Sequence, residues 1–232
     1  MTKIEKLKKW INESKTLVIL TGAGISVPSG IPDFRGDGKK NNAEEILTYK
    51  YMISHNKEFN NYIRDYLYHP NALPNIIHKF IYELEAKGKL NSLITQNIDD
   101  LHKLAGSKNY IPIHGSINNW HCIECEKKYN IKDLNLNEST ICECGGIIRP
   151  DIVLYLEPTD ETYCHLATVK GQIADMIIVI GSSLSVSTAT NILKYYAGNK
   201  LVIINKEKTS YDKYADLVIN NNAENVIEEL MK

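Results

Sequence analysis

Four of the five cysteines fall in two close pairs, Cys122-x-x-Cys125 and Cys142-x-Cys144, with sixteen residues between the pairs. Thiolates at this spacing can surround a tetrahedral zinc ion, and with all four protein ligands spent on the ion no position is left for a reacting water. The zinc expected here is structural. The start MTKIEKLKKWINESK has no apolar core resembling a signal peptide, so the chain is expected to stay in the cytoplasm, and in such a reducing compartment paired cysteines hold metal more often than disulfides. The remaining thiol, Cys164, reads as an ordinary buried one.

A second group of residues could handle a phosphorylated ligand. The turn Thr21-Gly22-Ala23-Gly24-Ile25-Ser26 follows an apolar run, and its glycines permit a tight bend and close backbone approach to a phosphate. The same glycines would also serve merely to turn the chain from strand to helix, and both readings stay open on these residues alone. The spacing Gly22, Gly24, Gly30 departs from GxGxxG, and no acidic residue ends a second strand about 20 residues on, so hydride transfer of the dehydrogenase kind is disfavoured. Asp33, Phe34 and Arg35 then put an acid, an aromatic and a base side by side, although a surface ion pair is the plain alternative. Asn97 and Asp99 either line a site or cap a helix beginning near Asp100. His114 ends an apolar run, the position from which α/β enzymes reach their ligands, and a neutral imidazole there is suited to act as general base. His55, His69, His78, His102, His121 and His165 are read as structural.

The elements that must position these groups follow from apolar patterning. Residues 3 to 14 carry Ile4, Leu7 and Ile11 at helical spacing with Trp10 widening the face. Short continuous apolar runs, Thr16 to Leu20, Ser92 to Thr95, Tyr110 to Ile113, Met176 to Ile180 and Leu201 to Ile204, fit strands buried on both faces of a parallel sheet. Helical segments between most of them make this a doubly wound, Rossmann-like α/β domain. It is expected to be discontinuous, over residues 1–36, 81–120 and 150–232, interrupted by a helical insertion at 37–80 and a zinc-binding insertion at 121–149 that metal rather than an apolar core holds together. At 232 residues the chain can bury one main core with such inserts. A formal net charge of -1 without a basic run gives no footprint for nucleic acid, and no apolar stretch approaches a membrane span.

The run GAGISVPSGIPDFRG, from Gly22 to Gly36, resembles the signature of the sirtuins at all its characteristic positions. Thr95-Gln96-Asn97-Ile98-Asp99 with Leu101-His102, then His114-Gly115, Arg149 to Glu157, Gly181 to Val186 and Asn205-Lys206 resemble further family segments in family order. The resemblance, to a short bacterial-type catalytic core, implies NAD as a consumed co-substrate and acyl-lysine proteins or peptides as partners. It implies that Gly22, Ala23, Gly24, Ile25, Asp33, Phe34, Arg35, Gln96, Asn97, Ile98, Asp99, His114, Gly181, Ser182, Ser183, Asn205, Lys206 and Ala223 bind NAD. Within that set Asn97 and Asp99 hold the nicotinamide end, where a fixed orientation exposes the far face of the ribose C1′. The acyl-lysine oxygen attacks C1′ as nicotinamide leaves, and His114 helps deprotonate a ribose hydroxyl.

Val153, Leu154 and Tyr155 with Ser185 and Val186 are implied to pair with the substrate backbone, a mode tolerant of side chains. Three departures stand out. Leu156 occupies a place usually held by Gly and is expected to narrow the channel. Thr188-Ala189 replaces Pro-Ala. Ile141 takes the place of a zinc cysteine, with Cys142 one residue later, which bears on the geometry of the metal site rather than its presence. Tyr62 and Arg64 are two residues apart, out of register for the Tyr and Arg that recognise acidic acyl groups in some relatives, so uncharged acyl groups are expected. Transfer of ADP-ribose to protein and a non-catalytic NAD-sensing module are the alternatives to lysine deacylation.

Overall fold

The computed structural model describes residues 1–33 and 42–232. In chain order the elements are α1 (Lys3–Glu13), β1 (Leu17–Thr21), α2 (Ala43–Ile46), α3 (Tyr49–Ser54), α4 (Asn56–Tyr62), α5 (Ile76–Ala86), β2 (Leu90–Thr95), α6 (Leu101–Leu104) and β3 (Tyr110–Pro112). They continue as β4 (Gly115–Cys122), β5 (Lys128–Asn130), β6 (Ile148–Ile152), α7 (Glu161–Ile173), β7 (Met176–Ile180), α8 (Ser187–Lys194), β8 (Leu201–Asn205), β9 (Leu217–Asn220) and α9 (Ala223–Leu230).

Among the described residues, six strands form one sheet in the order β3-β2-β1-β7-β8-β9, every neighbouring pair parallel. Continuous apolar strands are required because both faces are covered. In β1, Leu17 and Ile19 enter one core with residues of α1, α5 and α9, while Val18 and Leu20 enter the other with residues of α7 and α8. The chain starts at the centre, builds outward through β2 and β3, and then crosses to β7 on the other side of β1. Ligands of open parallel sheets bind at the carboxyl edge of such a reversal, here the ends of β1 and β7.

The two interruptions of the sheet fold onto each other. The antiparallel sheet β5-β4-β6 and helices α2 to α4 share a core in which Met52, Phe59, Ile63 and Trp120 are fully buried beside Cys122 and Cys142. Asn60 Nδ2 donates to the Glu138 carbonyl (2.9 Å) and to Thr140 Oγ1 (3.2 Å), and the Thr140 N–H donates to Asn56 Oδ1 (2.8 Å). The expectation of a cysteine insertion without an apolar core is therefore corrected: β4 turns Ile117, Trp120 and Cys122 inward against side chains of α4. Two further differences concern bounds. Helix α5 starts within the stretch 37–80 and packs Ile77, Phe80, Ile81 and Leu84 into the main core, and β9 is a strand the sequence reading does not contain. Among the described residues no helix is long and apolar enough to cross a membrane.

Candidate active site

The turns after β1 and β7 interlock. The Gly24 N–H donates to the Gly181 carbonyl (2.9 Å) and the Gly22 N–H to the Ile180 carbonyl (3.1 Å). A Cβ on Gly22 would lie 2.8 Å from the Gly181 oxygen, and one on Gly24 would lie 2.9 Å from the Gly181 Cα. Gly181 itself has φ +64. Backbone proximity between two strand ends is the reason for these glycines, and it brings Gly22, Ala23, Gly24 and Ile25 beside Gly181, Ser182 and Ser183 at one edge.

The end of β2 adds the polar groups. Gln96 Nε2 donates to Ser182 Oγ (2.8 Å), tying the β2 end to the β7 turn. Asn97 Nδ2 donates to Ser26 Oγ (3.1 Å), whose hydroxyl donates to Asp99 Oδ2 (2.6 Å). The other Asp99 oxygen accepts the Leu101 N–H at 2.9 Å, so the carboxylate also satisfies the first backbone donor of α6, whose N-cap residue is Asp100. Burial raises the Asp99 carboxyl above its ordinary range, against the Ser26 and Leu101 hydrogen bonds that favour the anion. Ser26 is buried and central, yet it is absent from the candidates named from sequence, since nothing in its spacing distinguishes it from another turn serine.

His114 lies between β3 and β4, half-buried, with Nδ1 3.0 Å from the Gln96 carbonyl. A carbonyl oxygen only accepts, so Nδ1 carries the proton and Nε2 is left as the basic nitrogen. Burial lowers the imidazole below its usual value, outweighing the Gln96 carbonyl, and His114 is neutral near pH 7. Below the site, His102 Nε2 lies 3.0 Å from Thr21 Oγ1, and its ring centroid is 4.9 Å from that of His78.

Asn205 ends β8, buried, with Nδ2 donating to the Glu207 carbonyl (2.8 Å). Lys206 next to it is exposed, and Ala223 opens α9 just past β9, at the same edge of the sheet. Ile98 packs on the smaller lobe. Asp33 is exposed, while Phe34 and Arg35 lie outside the described residues.

The segment after β6 is tightly held. Val153, Leu154 and Tyr155 donate their N–H groups to the His114 carbonyl (3.1 Å), Glu157 Oε2 (3.0 Å) and the Leu47 carbonyl (2.8 Å). All three donors are engaged, so this segment can offer a peptide only carbonyls. Ser185 and Val186 are exposed at the start of α8. Leu156 does not narrow a buried channel: its side chain is 97% exposed and its φ is +68. That left-handed backbone costs a leucine on the order of 1 kcal/mol and costs glycine nothing.

The four cysteines converge, their sulfurs all within 4.8 Å of one another, with Cys122 and Cys144 at 3.4 Å and Cys125 and Cys142 at 3.6 Å. A zinc ion with bonds of about 2.3 Å needs sulfur spacings of about 3.8 Å, so the cluster fits that ion. The one-residue shift of Cys142 is absorbed by its turn, in which the Cys142 N–H donates to the Gly146 carbonyl (2.8 Å) and Gly145 takes φ +88. The Cys144 N–H and then the Tyr129 hydroxyl, 3.0 Å from the sulfur, pull the Cys142 thiol down to about 6, toward the ligating thiolate.

An open parallel sheet whose reversal point is built from interlocked glycines, with a neutral histidine, a half-buried carboxyl and two amides at the same edge, defines a nucleotide-binding enzyme of the Rossmann type carrying a metal-stapled lobe. The model of the Sir2 family matches residues 22–188. An NAD-dependent protein deacetylase of Clostridium acetobutylicum is 40% identical over 100% of this chain and 99% of its own. A solved structure of Sir2 with a p53 peptide and NAD+ superposes with a TM-score of 0.91 at 36% identity, covering 99% of this chain and 98% of that one. Another, Sir2 with an inhibitor, 2'-O-acetyl-ADP-ribose and a deacetylated p53 peptide, gives 0.89 at 36% identity, covering 98% and 97%. The chain belongs to the Sir2 family, the sirtuins.

Proposed function

We propose that this chain is an NAD-dependent protein lysine deacetylase that moves the acyl group from lysine to ADP-ribose and releases nicotinamide. NAD supplies the electrophilic C1′ and a leaving group. The glycine turns and Ser182 and Ser183 receive its phosphates and ribose, and Asn205, Lys206 and Ala223 its adenosine end; Asp33, Phe34 and Arg35 are assigned to NAD by their place in the family signature. Asn97 and Asp99, fixed through Ser26, hold the carboxamide so that C1′ faces the incoming acyl oxygen. The new C1′–oxygen bond forms as the C1′–nicotinamide bond breaks with its electron pair going to nicotinamide. His114 Nε2 accepts the proton of a ribose hydroxyl, the oxygen that finally carries the acyl group, while water supplies the atoms that free the lysine amine.

The observation that carries this reading is the His114 tautomer, which leaves a neutral nitrogen basic at the sheet edge shared with Asn97 and Asp99. Val153, Leu154, Tyr155, Ser185 and Val186 form the two walls between which the substrate backbone lies. Zinc at Cys122, Cys125, Cys142 and Cys144 supports the lobe and takes no part in the reaction, since four thiolates fill its coordination. The unpaired thiols fit the cytoplasm as the place of action.

The test is incubation with NAD and an acetyl-lysine peptide, following nicotinamide, free lysine and acyl-ADP-ribose together by mass spectrometry. Equal amounts of the three are the expected result. His114→Ala should lower kcat by roughly 100-fold or more, and the acid limb of the wild-type rate profile should have its midpoint below pH 6.5, because the folded pKa is depressed. Full activity of the alanine variant, or ADP-ribose found on protein in place of deacylated lysine, would refute the assignment.

A further inference from the structure

Leu156 combines two features that bring it nothing within its own chain. Its backbone is left-handed, a conformation that glycine adopts freely, and its side chain stands almost wholly in solvent at 97% exposure. Nor is the conformation slack. Arg149 grips both oxygens of Glu157 at 2.7 and 2.8 Å and donates to the Ile152 carbonyl at 3.1 Å, while Glu157 Oε2 accepts the Leu154 N–H and the Glu157 N–H closes on the Leu154 carbonyl at 3.1 Å. Ahead of Leu156, the Tyr155 N–H is fixed to the Leu47 carbonyl. An unfavourable backbone conformation imposed from both sides, directly after the proposed peptide-binding wall Val153 to Tyr155, points to use by a ligand.

The surroundings indicate what that ligand presents. Thr48 and Tyr155 form a parallel bridge, so Tyr49 and Leu156 leave it in the same direction, and Tyr49 is 44% exposed. On the second wall of the proposed peptide groove Val186 is 43% exposed. The nearby cation, Arg149, is neutralised by Glu157 and lies 5.7 Å from the Tyr49 ring. The rim offers apolar surface and no free charge from these groups.

We infer that Leu156 is a specificity-determining residue, packing against an apolar side chain next to the acyl-lysine, so that the chain selects acyl-lysines with an apolar neighbour. This rests on the proposed reading of Val153 to Tyr155 as a peptide-binding wall. Partial burial of one leucine side chain corresponds to about five-fold in kcat/KM.

The test uses the full chain with NAD and a set of acetyl-lysine peptides in which leucine or serine is placed, one position at a time, at the two residues on either side of the acetyl-lysine. Wild-type protein should favour leucine over serine at one of these positions by about five-fold in kcat/KM and in peptide affinity measured by fluorescence anisotropy. Leu156→Gly should bring that ratio close to one while leaving turnover of the all-serine peptide unchanged, and it should melt no lower than the wild type because glycine suits the backbone. A preference retained by Leu156→Gly, or no preference in the wild type, overturns the inference alone. Failure of the wild type to release nicotinamide with any acetyl-lysine peptide overturns the deacetylase reading and the inference with it.

Discussion

Acidification should weaken this fold through a pair of histidines that take no part in the reaction. His78 and His102 are buried, and burial lowers them to about 4 and about 3, with His78 further depressing His102. In the unfolded chain both return to about 6.5. The folded values are lower, so the unfolded state binds more protons as pH falls; the stability they contribute is complete above about pH 6.5 and is lost progressively down to about pH 4 for His78 and about pH 3 for His102. Between pH 7 and pH 5 each costs nearly 2 kcal/mol at 1.36 kcal/mol per unit, about 4 kcal/mol for the pair. His78→Phe isolates the effect, since Nε2 of His78 has no hydrogen-bond partner and its Nδ1 only accepts the Asn75 N–H at 3.4 Å. Urea unfolding followed by the fluorescence of Trp10 and Trp120 at both pH values closes a thermodynamic cycle in which packing changes and cysteine protonation cancel. The variant should lose about 2 kcal/mol less than the wild type between pH 7 and pH 5. Parallel losses in the two proteins would refute the assignment of buried neutral rings.

Ser26→Ala removes the hydroxyl that joins Asn97 to Asp99 and should lower kcat/KM for NAD about ten-fold to a hundred-fold with little loss of secondary structure, checked by steady-state kinetics and circular dichroism. Gly24→Ala drives a methyl group into the Gly181 backbone and should cost roughly 1–3 kcal/mol in urea unfolding together with NAD affinity measured by calorimetry. Cys142→Ser should abolish stoichiometric zinc, measured by elemental analysis, and expose Trp120, read as a red-shifted emission; a variant with native emission and no metal would contradict the stapling role.

The main sheet is legible in the sequence because covering both faces forces unbroken apolar runs, and Met176–Ile180 is found where its residues place it. Four residues at Leu217–Asn220 are too short a run to stand out from the loop around them. The core of the smaller lobe is hidden for another reason: Phe59 and Trp120 meet only after the chain has returned, and no local pattern records the encounter. At the site, the glycine turns and the cysteine pairs announce themselves through residue type and spacing. Ser26 does not, because its importance lies in two partners from another strand end. Leu156 shows its left-handed backbone only in coordinates, since leucine carries no mark of it.

The hydrogen bonds from the Thr140 N–H to Asn56 and from Asn60 to the Thr140 hydroxyl join segments 84 and 80 residues apart. During synthesis at about 5–20 residues per second, helices α3 and α4 therefore leave the ribosome several seconds before the cysteine loop that covers them. Over that interval Met52, Phe59 and Ile63 have no native cover, and a nascent chain stalled between residues 67 and 140 should be a preferred client for chaperones.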